Sequence, residues 1–214
     1  MSATKGEPLI IAGLTGGIAS GKSTISEFLR DAGARIIDAD EIARQVVKKG
    51  LPAYEEICTC FGRTILRADG EIDRQQLGTI IFNDPHQKAH LDAIVHPRVF
   101  AQADREIATI EKDDPAAVVI MDIPLLFETG MQDDLAEVIV VFVPEALQLE
   151  RLIKRDGIDE KAAISRIRSQ IPIAQKRERA TIVIDNSGSR SASRLRALEV
   201  YNQLKEKDKL TIDG

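Results

Sequence analysis

The chain is 214 residues long, 43% hydrophobic and 29% charged, with a formal net charge of −5. That length holds one α/β domain with insertions or at most two small domains, and the composition is that of a soluble globular protein. The negative balance argues against a nucleic-acid partner gripped by a broad basic surface, and no apolar stretch approaches the roughly 20 residues that span a bilayer.

Residues 1–8 are polar and lack the apolar core of a signal peptide. A cytoplasmic protein without a membrane partner is expected. Residues 9–14, Leu-Ile-Ile-Ala-Gly-Leu, then read as a buried strand. Directly after it comes Gly16-Gly17-Ile18-Ala19-Ser20-Gly21-Lys22-Ser23-Thr24, which fills every fixed position of the G-x-x-x-x-G-K-[ST] spacing. Ile25, Phe28 and Leu29 follow at helical spacing. Strand, glycine turn and helix start aim backbone N–H groups and a positive helix end at one point, where a polyphosphate fits. Lys22 adds an ammonium, and Ser23 supplies a hydroxyl for Mg²⁺. ATP and Mg²⁺ are therefore the expected cofactors, with Gly17, Ile18, Ala19, Ser20, Gly21, Lys22, Ser23 and Thr24 as nucleotide contacts.

Gly33 is placed to close this helix before a second strand over 35–37. At that strand's end stand Asp38, Asp40 and Glu41, and in a parallel sheet the carboxyl ends of the strands form the ligand crevice. Asp40 is read as a base that takes a proton from an attacking hydroxyl. Asp38 is the supporting or magnesium-side carboxylate. The competing explanation is that Asp40 merely caps the next helix.

About 75 residues without a convincing strand follow, too long for an ordinary crossover, so an inserted helical subdomain is expected. Its helices run over 40–49, stopped by Gly50 and Pro52, and over 52–61. A third is capped by Asp73 and carries Leu77, Ile80 and Ile81. The last opens at Asp84-Pro85, carries Leu91, Ile94 and Val95, and meets Pro97 just after His96, where the insertion is expected to end. Cys58 and Cys60 have neither zinc nor redox spacing and read as incidental thiols. His86 and His90 lack a third ligand.

Strands are expected again over 117–123, 138–143 and 181–184. Asp122 ends the first of these in the manner of a magnesium-side carboxylate, although a strand-end Asp also caps turns. The apolar loop Pro124-Leu125-Leu126-Phe127-Glu128 either floors an acceptor pocket or packs on the insertion. Pro144 opens a helix that leads into a basic segment, 151–179. Most of its cations must be solvated, but a few arginines are positioned to act as a lid closing over the triphosphate. A closing helix is expected over 190–204.

Taken together, these pieces resemble the dephospho-CoA kinase family. The resemblance rests on the phosphate loop from Leu14 to Thr24, on Ile37-Asp38-Ala39-Asp40-Glu41-Ile42-Ala43-Arg44, on Ile94-Val95-His96-Pro97 and on Pro124-Leu125-Leu126-Phe127-Glu128. Arg151 with Arg155, Arg166-Ile167 with Gln170, and Ile184-Asp185-Asn186 with Gly188 continue it in family order. Ala19 departs from it, standing where the family usually has glycine.

The resemblance implies an α/β, three-layer P-loop NTPase fold with a central five-stranded parallel sheet, a helical substrate-binding insertion and a helical lid. Residues 1–45, 98–150 and 180–214 would form the nucleotide-binding core, 46–97 the CoA-substrate domain and 151–179 the lid. It implies transfer of the ATP γ-phosphate to the ribose 3′-hydroxyl of dephospho-CoA, the last step of coenzyme A biosynthesis, by a monomer or weak homo-oligomer. Asp40 matches the family's general base and Arg151 its lid arginine, beside the catalytic Lys22. Asn186 and Gly188 match the adenine-proximal loop, Ser23 and Asp122 the metal side, and Thr15, Asp38, Asp40, His96 and Leu125 the substrate side. Without the resemblance, the residues support a P-loop kinase of a small alcohol, or an ATP-binding regulator. A GTP switch is disfavoured because no N-K-x-D tetrapeptide occurs.

Overall fold

The computed structural model describes residues 9–211; the polar opening segment 1–8 lies outside them. Five strands, β1 (Ile10–Gly16), β2 (Arg35–Asp38), β3 (Val118–Asp122), β4 (Glu137–Phe142) and β5 (Ile182–Asp185), form one sheet in the order β2-β3-β1-β4-β5. The β1–β3, β1–β4 and β4–β5 pairs are parallel. Each strand lies within two residues of its expected place. The cause is visible in the sequence: β3 is buried along its whole length, and only continuously apolar, largely β-branched segments fit a sheet covered on both faces.

Helix α1 (Lys22–Ala32) turns Ile25, Phe28 and Leu29 inward and ends at Gly33, whose φ of 115° only glycine adopts readily. Those three side chains join Leu14, Ile120, Ile139, Val141 and Ile184 from the sheet. Ala197, Val200 and Leu204 of α9 (Arg190–Thr211) complete the cluster. Burying each large aliphatic here contributes about 1.5–3 kcal/mol. Truncating Leu29 or Ile139 to Ala costs about 2–5 kcal/mol.

The described residues divide into two compact units, one comprising residues up to Ile37 and from Thr109 onward, the other Asp38–Ala108. The second is helical and has its own small core of Tyr54, Ile57, Ile65, Ile72 and Leu77. Its elements are α2 (Ala39–Val46), α3 (Pro52–Phe61), α4 (Arg74–Asn83) and most of α5 (Pro85–Asp113). It is wider than the 46–97 expected from the sequence, at both ends.

At the far end the reason is Pro97, which lies inside α5 instead of terminating it. A proline cannot donate to the carbonyl four residues back, and its ring strains the preceding turn. The carbonyl left without that donor is that of Ala93; one residue on, Arg98 Nη1 donates to the Ile94 carbonyl at 2.6 Å, and Arg98 Nη2 pairs with Glu56. At the near end Asp38, and not Asp40, is the helix cap: its carboxylate accepts from the Glu41 N–H at 3.0 Å.

Candidate active site

The phosphate loop joins the end of β1 to the start of α1 across residues 17–21. Ser20 N–H donates to the Gly17 carbonyl at 3.1 Å, and Thr24 N–H to the Gly21 carbonyl at 3.0 Å. Lys22 and Ser23 open the helix, so their N–H groups have no intrahelical acceptor and point with the helix dipole toward any anion. Gly21 is the N-cap at φ 84°, and Ala19 sits at φ 58°. A left-handed residue at position 19 accounts for the family's glycine there, and the methyl of Ala19 is strained by about 1–2 kcal/mol. Lys22 Nζ is paired with the Asp122 carboxylate, which ends β3 next to β1 and is buried.

Much of what holds the loop comes from residues far along the chain. Gln148, buried on α6 (Glu145–Asp156), donates from Nε2 to the Ile18 carbonyl at 3.1 Å. Gln170, between α7 (Glu160–Arg168) and α8 (Ile173–Glu178), accepts from Ile18 N–H at 2.8 Å. Asn186, one residue past β5, donates to the Ser20 carbonyl at 2.7 Å while its Oδ1 accepts from Ser193 at 2.6 Å. Its amide thus spans two protein partners, and its side chain braces the loop. The same residue's carbonyl accepts from Arg151 Nη2 at 3.0 Å, which fixes the guanidinium in front of α1.

Ala19, Gly21, Thr24, Arg151, Arg155, Asn186, Gly188 and Arg190 line one cleft of about 400 Å³. Three arginines beside a helix start make it an anion site. Ser20 Oγ, in the same loop, is buried without a hydrogen-bond partner among the described residues. That donor set, together with the exposed Ser23 hydroxyl and the Asp122 carboxylate, suits a nucleotide with Mg²⁺. Magnesium takes few protein ligands and fills its shell with phosphate oxygens and water. Among the described residues no cluster of three His, Cys, Asp or Glu side chains exists to hold a metal unaided.

The basic segment is more internally neutralised than its charge suggests. Asp156 binds Arg155 Nε at 2.7 Å and Arg166 Nη1 at 2.6 Å. The hydrogen bond from Arg155 holds the Asp156 carboxyl below its ordinary range and raises Arg155 in return. Arg177 and Arg179 lie over the rings of Phe142 and Phe127. Asp185, just before Asn186, is lowered by the Ser187 hydroxyl and N–H it accepts from. Lys176 is fully buried, with Nζ 2.7 Å from Glu128 Oε1. Removing an ammonium from water costs several kcal/mol unless a partner of this kind is in place.

Thr15 is also fully buried, its hydroxyl donating to the Pro124 carbonyl at 3.0 Å, so it shapes the 123–127 loop from beneath. In that loop Leu126 and Phe127 are buried and Leu125 is 42% exposed. The loop therefore packs two of its apolar side chains and leaves the third exposed. Asp38, Asp40 and His96 belong to the helical unit: Asp40 is exposed in the first turn of α2, and His96 faces Asp92 across one turn of α5 at 3.7 Å. Cys58 is half-buried and Cys60 exposed, both as free thiols. Sequence reasoning missed Gln148 and Arg190, and the bracing roles of Gln170, Glu128 and Lys176. Gln170 and Glu128 stood within the resemblance, which hinted at them; nothing in the sequence singled out Gln148, Lys176 or Arg190.

A phosphate loop on the central strand of a 2-3-1-4-5 parallel sheet, with a strand-end Asp on its lysine and an arginine from α6 before it, defines a P-loop phosphotransferase. A family model described as dephospho-CoA kinase matches residues 10–192. The chain is 46% identical over 191 residues to the dephospho-CoA kinase of Geobacillus kaustophilus, covering 89% of this chain and 94% of that one. It is 44% identical over 200 residues to that of Carboxydothermus hydrogenoformans, covering 94% and 97%. The solved dephospho-CoA kinase of Campylobacter jejuni superposes with a TM-score of 0.69 at 31% identity, over 93% of this chain and 98% of the other. A solved Thermus thermophilus protein does so with a TM-score of 0.80 at 34% identity, over 92% and 97%. The chain belongs to the dephospho-CoA kinase family.

Proposed function

We propose that this protein transfers the γ-phosphate of ATP to the ribose 3′-hydroxyl of dephospho-CoA, giving CoA and ADP. The observation that carries the reading is the cleft in which Arg151, Arg155 and the start of α1 converge, in a chain of this family whose loop lysine, Lys22, is held by Asp122. In the reaction the 3′-oxygen forms a bond to the γ-phosphorus as the bond to the β-bridging oxygen breaks. The hydroxyl proton passes to the Asp40 carboxylate, and ADP carries away the electron pair. Asp40 is supported as base by its place two residues beyond the carboxyl end of β2, in a sheet whose strand ends form the crevice.

Lys22 and Arg151 stabilise charge on the transferring phosphoryl oxygens, and the first-turn N–H groups of α1 hold the β-phosphate. Ser23 and Asp122 would hold Mg²⁺ beside them; the ion neutralises phosphate charge. Asn186 and Gly188 wall the nucleotide side. Leu125 and His96 are assigned to the acceptor by the family resemblance, and the 151–179 segment to the lid. With no helix among the described residues long and apolar enough to cross a membrane, a cytoplasmic enzyme is the matching setting. It acts as a monomer or weak homo-oligomer.

The test is ADP release with ATP and Mg²⁺, comparing dephospho-CoA with adenosine, AMP and no acceptor. Release with dephospho-CoA alone, and CoA as product by mass, is expected; equal release with adenosine or AMP overturns the acceptor assignment. Asp40→Asn should bind ATP normally and lose kcat by about 10²–10⁴-fold. Unchanged turnover removes its role as base.

A further inference from the structure

Lys176 is a fully buried cation 21 residues past Arg155, the nearest residue of the nucleotide cleft on α6, in a segment whose other charges are mostly exposed. Its Nζ is 2.7 Å from Glu128 Oε1 and reaches the Gly16 carbonyl, at the root of the phosphate loop, at 3.5 Å. Glu128 Oε1 also accepts the Ile171 N–H at 3.0 Å. The residue before Ile171 is Gln170, which holds the Ile18 N–H. Four bonds thus run from the α7–α8 segment to the loop after β3 and to both sides of Gly17. A buried ion pair is poor value for stability alone, since apolar residues of the same volume serve as well or better. What an apolar pair lacks is directed donors and acceptors, and these end on backbone atoms of the phosphate loop.

We propose that Lys176, Glu128 and Gln170 are positioning residues for nucleotide binding: together they set the Gly16–Ile18 backbone and so aim the N–H groups that follow it at the phosphates. None touches the reacting atoms. The inference rests on the nucleotide-binding reading of the loop and is independent of which acceptor takes the phosphate.

Two variants test it in the full-length protein. Lys176→Met with Glu128→Leu removes both charges together, so neither is left buried and alone, and the melting temperature should stay close to that of the parent. Gln170→Leu removes the Ile18 contact without touching any charge. In both, the Kd for ATP, measured by calorimetry without acceptor, should rise about ten- to a hundredfold, as for one or two lost buried hydrogen bonds. The KM for dephospho-CoA should move less than about twofold. A purely structural role would lower the melting temperature and leave the Kd unchanged. Parental ATP affinity in Gln170→Leu overturns the proposal even where the double variant fails to fold. Parental protein that binds ATP but ignores dephospho-CoA defeats the acceptor assignment and leaves this inference standing.

Discussion

Gly21→Ala probes the loop most sharply, because two separate penalties meet at one atom. The new Cβ would sit at φ 84°, a left-handed conformation that costs an L-residue about 1–2 kcal/mol. It would also lie 2.2 Å from Asn186 Nδ2, far inside contact distance. That amide cannot rotate away freely, since it is tied to the Ser20 carbonyl and to Ser193. Displacing it leaves at least one buried polar group unpaired, a further loss of about 1–3 kcal/mol. The sum, about 2–5 kcal/mol, corresponds to a fall in melting temperature of roughly 4–20 °C for a chain of this size. Gly130→Ala is the control: φ is 73° and no atom lies within 4 Å of the added methyl, so only the conformational part applies, roughly 2–8 °C. Thermal unfolding followed by circular dichroism measures both. Adding Asn186→Ala separates the penalties further, since Gly21→Ala on that background should lose only its conformational part. Equal losses for the two glycine variants, or strict additivity with Asn186→Ala, would refute the claim that Asn186 pins the loop.

Other expectations follow from the same geometry. Lys22→Ala removes the ammonium that pairs with Asp122 and should lower kcat by about 10²–10³-fold or more in the ADP-release assay; near-normal turnover defeats the assignment. Arg151→Ala should lower kcat more than ATP affinity, as steady-state kinetics beside calorimetry would show, and equal losses in both would make it a ground-state clamp. Asp156→Asn concerns stability. The Asp156 carboxyl is held below its ordinary value, so its pairing stabilises the fold above about pH 4 and is lost as pH falls through the lowered folded value. The variant should melt below the parent at pH 7, with the gap closing as the pH drops below about 4. A gap constant down to pH 3 excludes the ion pair as its cause.

The sequence by itself determined the elements and the chemistry of the loop. Five apolar runs, the G-x-x-x-x-G-K-[ST] spacing and Asp122 at a strand end are local patterns whose meaning depends on period and neighbours along the chain. Covering a sheet on both faces demands such runs, and cradling phosphate demands such a loop. Tertiary structure decided everything that depends on which distant residues meet. Asp40 is the cap the sequence suggests, and only the extended backbone at Asp38, φ −89° and ψ 106°, gives the cap to that residue instead. Pro97 reads as a stop, yet α5 runs through it from Pro85 to Asp113. Lys176 is one of nine cations in a basic run, and nothing local separates it from its solvated neighbours. Its burial follows from Glu128, 48 positions earlier in the sequence, and from the Gly16 carbonyl, 160 positions away. Long-range pairing of polar groups leaves no periodicity in a sequence, because hydrogen bonds are satisfied in space and not along the chain.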